Sequence, residues 1–183
     1  MNKHKTHRLF TGTYVDRELF QYIYNDIIED FNGATFGKWV ELKNLHFTYH
    51  FIGDVAVELV DEVKKSLADI TKEYDAPLGF RGLSAFPNIK RPRVLHIPVY
   101  DSGILQKVYS RIGNALESIN IKTDERKYKP HLTLQRIKDF DKIKFQSMIE
   151  KYERKDFGTM NSFRVSLIES RLTRHGPIYK VIQ

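Results

Sequence analysis

His46-Phe47-Thr48 and His131-Leu132-Thr133 each set a histidine and a threonine two residues apart inside an apolar, strand-like run. A strand alternates its faces, so residues i and i+2 project to the same side. Each string therefore presents one imidazole and one hydroxyl side by side, and each stands just before a helical pattern. The order strand, helix, strand, helix, then strands roughly recurs along the chain, with little identity outside the motif. Such a duplication predicts an α+β fold of two similar lobes related by an approximate twofold. That symmetry would bring the two histidine-bearing strands together. The length of 183 residues suits a single bilobal domain over 1–183.

The local patterns locate the elements. Arg8–Val15 reads as a strand. Asp16–Asp30 carries Leu19, Phe20, Ile23, Ile27 and Ile28 at helical spacing, with Asp16 as its N-cap. Lys38–Val40 and Leu45–Ile52 read as strands, the second ending at Gly53-Asp54. Val55–Lys72 has Leu59, Val63, Leu67 and Ile70 on one side of a helix. Pro77–Phe86 and Arg93–Val99 are strand candidates, and Ser102–Ile119 is a third helix. A strand over His131–Ile137, a helix over Asp141–Tyr152 and closing strands over Phe163–Ser170 and Ile178–Ile182 complete the order.

Composition narrows the partners. The formal net charge is +7, and the basic residues gather in Lys3–Arg8, Lys90-Arg91-Pro92-Arg93 and Lys122–Lys129. A basic field attracts polyanions and speeds their capture, so a nucleotide or nucleic-acid partner is expected. No apolar run approaches the ~20 residues of a membrane span. The basic N-terminus also lacks the apolar stretch of a secretory signal. With no cysteine there is neither a disulfide framework nor a thiolate nucleophile. A cytoplasmic, monomeric protein fits these features.

Two imidazoles and two hydroxyls facing each other suit in-line attack on a phosphodiester. A neutral imidazole takes a proton from water while an imidazolium protonates the departing oxygen. The threonine hydroxyls hydrogen-bond the non-bridging oxygens as charge builds. No Walker-type phosphate loop is present, so ATP is not implied.

The chain resembles the 2H phosphoesterase superfamily, and within it the RNA 2′,3′-cyclic phosphodiesterases, also called 2′-5′ RNA ligases. The resemblance lies in Trp39-Val40, Asn44-Leu45-His46-Phe47-Thr48 and Phe51-Ile52-Gly53; in Phe86-Pro87 and Pro92-Arg93-Val94-Leu95; in Pro130-His131-Leu132-Thr133-Leu134 with Arg136; and in Leu167-Ile168-Glu169-Ser170, Leu172, Gly176 and Tyr179. It implies antiparallel sheets lining a central cleft with helices outside. It also implies opening of a 2′,3′-cyclic phosphate to a 2′-phosphate with neither metal nor cofactor. In the reverse sense it implies joining of RNA ends. By the same resemblance His46 is the general acid at the leaving 3′ oxygen and His131 the base that activates water. Thr48, Thr133 and Arg136 would bind the phosphate. Arg136 poses a difficulty, because strict alternation from His131 sends Gln135 inward and Arg136 to the opposite face. For Arg136 to reach the phosphate the strand must end, twist or bulge.

His50, where many relatives carry Lys, shares a face with His46 and Thr48 by alternation, so it is a possible substrate contact at the cleft rim and otherwise a semi-exposed bystander. Histidines i and i+4 on a strand lie roughly 13 Å apart, too far to share a metal ion. His96, where relatives often have Trp, is read as packing; His4, His7 and His175 carry no chemical role. Phe10, Tyr49, Phe86 and Tyr128 are aromatic candidates to stack on a base, Tyr128 foremost, with Phe10 a second possible substrate contact. Two alternatives stay open. The same groups could act on another cyclic or 2′-5′-linked oligonucleotide, or the chain could be a non-catalytic RNA-binding module.

Overall fold

The computed structural model describes residues 5–123, 127–174 and 176–183. His4 and His175, and part of the first and third basic clusters, lie outside them. β1 (Thr6–Tyr14) leads into α1 (Arg17–Asp30), β2 (Thr35–Trp39) and β3 (His46–Ala56). Then come α2 (Val60–Leu67), β4 (Glu73–Tyr74), β5 (Leu78–Arg81), β6 (Ser84–Phe86), β7 (Val94–Tyr100) and α3 (Ile104–Glu117). β8 (His131–Phe140), α4 (Lys142–Tyr152), β9 (Asp156–Met160), β10 (Phe163–Arg164), β11 (Ser166–Thr173) and β12 (Gly176–Val181) complete the order. Three helices begin where an aspartate accepts from first-turn N–H groups that have no helical partner. Asp16 accepts from Glu18 N, Asp101 from Leu105 N, and Asp141 from Ile143 N and Lys144 N.

The strands form two principal antiparallel sheets. One has the order β12-β11-β1-β3; the other runs β2-β8-β7-β5-β9, with β6 also paired to β7. Helices α1 and α4 cover the second sheet. Phe20 of α1 meets Phe80 of β5 edge-on at 5.2 Å, and Phe31 packs against both Trp39 and Phe145 of α4. Helix α3 covers the first sheet, with Tyr109 on His50 of β3, and α2 packs on α3. The two lobes are thus interleaved in sequence. α1 follows a strand of the first sheet yet packs on the second, and β3 returns to the first.

Several elements differ from their sequence-based bounds. β3 runs past Gly53, which pairs with Leu9 at φ +86° where the register shifts, and pairing continues to Ala56 opposite Thr6. Helix α2 is correspondingly short, and Leu59 is exposed rather than on its apolar stripe. The run over 77–86 breaks at Gly82, where a Cβ would stand 2.7 Å from the Glu153 carbonyl oxygen. β4 and β9 have no counterpart in the sequence pattern, because β4 is two residues long and β9 buries only Phe157. Among the described residues no helix is long and apolar enough to cross a membrane.

Candidate active site

β3 and β8 come from different sheets and touch each other where the lobes meet. Each carries its His-x-Thr at its start, and each bulges directly after the threonine. Along β3, Thr48 pairs with Gly12 and Phe51 with Phe10, so three steps of β3 match two of β1. Along β8, Thr133 pairs with His96 and Gln135 with Leu95, so two steps of β8 match one of β7. A bulge of this kind inserts one residue and resets the alternation. Two successive residues then turn into the lobe interior, Tyr49 and His50 in β3 and Leu134 and Gln135 in β8, all buried. The next residue emerges on the face of the histidine. It is Phe51 in one lobe, 66% exposed, and the exposed Arg136 in the other. This resolves the Arg136 difficulty, since the bulge carries it to the side of His131 and Thr133.

The two imidazoles are held alike. His46 Nδ1 lies 2.6 Å from the Asn44 carbonyl oxygen, and His131 Nδ1 lies 2.7 Å from that of Lys129. A carbonyl only accepts, so Nδ1 carries the hydrogen in both rings, and Nε2 is the nitrogen left to exchange a proton. Both pKa values fall below the ordinary histidine value. For His46 burial dominates; the Asn44 hydrogen bond opposes it, and the charges of Arg136 and His131 add to it. For His131 burial again leads, opposed by the Lys129 bond and reinforced by Arg136. Arg136 therefore acts on both rings, and also on Tyr179. Groups from the two lobes converge on one site.

The surroundings of the rings differ. His46 is packed by Phe10 at 5.0 Å, Tyr179 at 5.1 Å and Tyr14 at 5.9 Å. His131 meets Phe86 edge-on at 4.8 Å and His96 at 5.3 Å. His96 stacks flat on Phe86 at 4.0 Å, and burial together with the nearby His131 brings its pKa down to about 4. His96 is thus a neutral packing group against His131. Tyr14 had no signal in the sequence beyond its place in β1. Phe51 was hidden by the bulge that exposes it.

Three expected substrate contacts are corrected. His50 does not share the face of His46, because the bulge turns it inward. It is buried, stacks on Tyr109 at 4.0 Å and donates from Nε2 to the Tyr109 carbonyl oxygen at 2.9 Å. Phe10 is on the expected face but only 3% exposed, wedged among His46, Phe51 and Tyr179, with no open ring face for a base. Tyr128 stacks between Tyr109 at 4.4 Å and Tyr49 at 6.0 Å, with its hydroxyl buried. It supports the segment that enters β8 instead of facing the cleft. Among the described residues no three His, Asp or Glu side chains gather as a candidate metal-binding cluster.

The family described as LigT like phosphoesterase matches residues 24–96 and 99–179, one His-x-Thr in each segment. The RNA 2′,3′-cyclic phosphodiesterase of Aquifex aeolicus is 34% identical over 98% of this chain and 96% of its own. Its counterpart from Archaeoglobus fulgidus is 32% identical over 94% and 96%. Among solved structures, TT0787 of Thermus thermophilus superposes with a TM-score of 0.71 at 22% identity, covering 96% of this chain and 95% of that one. E. coli LigT complexed with 3′-AMP does so at 0.75 and 19%, covering 98% and 97%. These structures share the fold, and with two matched segments spanning most of its length the chain belongs to the LigT-like phosphoesterase family.

Proposed function

We propose that this chain hydrolyses RNA and nucleoside 2′,3′-cyclic phosphates to 2′-phosphates without a metal, as the names of its relatives suggest. The observation that carries the proposal is the pair of imidazoles locked through Nδ1 on matching bulged strands, with Arg136 acting on both. His131 Nε2 takes a proton from water as the water oxygen bonds to phosphorus. The bond from phosphorus to O3′ breaks in line, and His46 Nε2 gives its proton to O3′. Thr48 and Thr133 donate to the non-bridging oxygens, and the Arg136 guanidinium offsets their charge. A cyclic phosphate carries one negative charge, which favours the protonated form of His46 once it is bound.

The roles of the two histidines follow from the family resemblance, and Phe51 supports them. It is the exposed aromatic on the strand of His46, so a base stacked there sets its ribose, and hence O3′, beside His46. Water then enters from the His131 side. A 5′-hydroxyl entering there instead of water would form a 2′-5′ linkage by the same proton transfers. All five polar groups come from one chain, which supports action as a monomer.

The test is incubation of the purified chain with an oligonucleotide ending in a 2′,3′-cyclic phosphate, in excess EDTA. The expected product carries a 2′-phosphate. His46→Ala and His131→Ala should each lose about 10²–10⁴-fold in rate with the circular dichroism unchanged. A folded sample that gives no product overturns the proposal. RNA bound without turnover would identify a binding module instead, and product from a panel of other cyclic or 2′-5′-linked nucleotides alone would change the substrate.

A further inference from the structure

A groove of about 730 Å³ lies directly behind His46, between β12, residues 41–44 and the start of α1. Its inner wall is made of groups that hold the imidazole. The Tyr14 and Tyr179 rings pack on His46, and the Asn44 carbonyl oxygen fixes its Nδ1. His131, Thr48, Thr133 and Arg136 are not among its lining residues, so it is distinct from the proposed phosphate position. Ile178, 59% exposed, adds an apolar wall, and Arg17 and Lys43 lie at its rim. Lys43 bonds Glu41 at 2.7 Å, so the two cations leave one positive charge in excess of that carboxylate.

Two tyrosines and an apolar side chain beside excess positive charge match a nucleotide, with the rings meeting a base and the cations a phosphate. The volume lies within the range of small-molecule sites. The path of the substrate selects which nucleotide. If O3′ of the reacting ribose stands at His46, the 5′-phosphodiester of that same ribose leaves on the His46 side, away from the water that arrives from His131. We infer that this groove is a subsite for the RNA nucleotide immediately 5′ of the one bearing the cyclic phosphate. This inference rests on the cyclic-phosphate reading and adds to it where the nucleotide upstream of the reacting one is held.

The experiment compares kcat/KM for a nucleoside 2′,3′-cyclic phosphate and for a dinucleotide with the same terminal group. One stacked base is worth about tenfold or more, so the dinucleotide should be favoured by at least that ratio. In the doubly substituted Arg17→Glu, Lys43→Glu protein, and independently in Ile178→Glu, the ratio should fall toward unity. A ratio near unity in the unaltered protein, or one that survives in both variants, overturns the subsite while leaving the cyclic phosphodiesterase standing. Turnover of neither substrate by the folded protein overturns both.

Discussion

Arg136 is placed by the adjacent strand β2 as much as by its own strand, and Gly37→Ala isolates that effect. β2 approaches β8 so closely that a Cβ at Gly37 would stand 2.2 Å from the Arg136 carbonyl oxygen. It would also lie 3.0 Å from Arg136 C and Ile137 Cα. All three are backbone atoms, so no rotamer relieves the clash. An ordinary carbon–oxygen contact needs about 1 Å more, and the strands must part by about that distance. Overpacking of this kind costs about 1–3 kcal/mol, and each weakened ladder hydrogen bond about 0.5–1.5 kcal/mol more. The total of about 2–4 kcal/mol corresponds to a fall in Tm of roughly 4–16 °C for a domain of this size. The same displacement reaches Arg136, the proposed phosphate contact. A shift of about 1 Å at a positioned group costs about 10²-fold in rate, so kcat/KM measured well below the melting range should drop by that order. Gly53→Ala is the control. It meets nothing within 4 Å, and its φ of +86° costs only about 1–2 kcal/mol. It should lower Tm modestly and spare kcat/KM. A Gly37→Ala protein that melts within a degree of the parent at full activity would refute the close approach and its role in aiming Arg136.

Two further predictions concern the same site. Arg136 lowers the pKa of both histidines, so Arg136→Gln should raise both, moving the whole bell of kcat/KM against pH to the alkaline side while its height falls about 10²–10³-fold. In the unaltered protein both limbs should lie below pH 6.5, and a bell that stays put or moves to acid in the variant would contradict the shared field of Arg136. Phe51→Ala should raise KM for a cyclic mononucleotide about tenfold with little change in kcat, whereas Phe10→Ala should cost about 3–5 kcal/mol in urea unfolding, because Phe10 is core and Phe51 is not.

The elements that follow a strict period were legible from their residues. α1, with its Asp16 cap, α4, and the apolar runs of β1, β7 and β8 stand within a few residues of their expected bounds. The bulges were not legible in the same way. In β3 the run Phe47, Tyr49, His50, Phe51 is aromatic on both faces, so nothing in it shows where the alternation resets. That reset alone decides that His50 is interior and Phe51 is open. In β8 the bulge was announced by a conflict, since an arginine needed on the histidine face stood at the wrong parity. The interleaving of the lobes has no local signal at all. α1 lies on the sheet that does not contain β1 because Phe20 and Phe31 find Phe80 and Phe145 there. Such partner choice is a property of the assembled core.

A duplicated lobe explains why the two histidines are alike, and the proposed reaction requires them to act differently. Their own hydrogen bonds cannot supply the difference, because each ring donates Nδ1 to the carbonyl two residues before it. The difference lies one step beyond each bulge and in the rings behind. In the proposed reaction the exposed Phe51, backed by the buried Phe10, gives the first lobe a surface for a nucleoside, while Tyr14 and Tyr179 pack the His46 ring. In that reaction Arg136, with Phe86 and the neutral His96 against His131, makes the second lobe the holder of charge. On the proposed reading a nucleoside drawn to the first lobe would put its leaving oxygen at His46 and clear the side of His131 for water. Acid and base are then assigned by where the substrate lies, not by any asymmetry in the catalytic groups. An exchange of the residues after the two bulges, Phe51→Arg with Arg136→Phe, should therefore weaken the preference for a 2′-phosphate product even though both imidazoles stay in place.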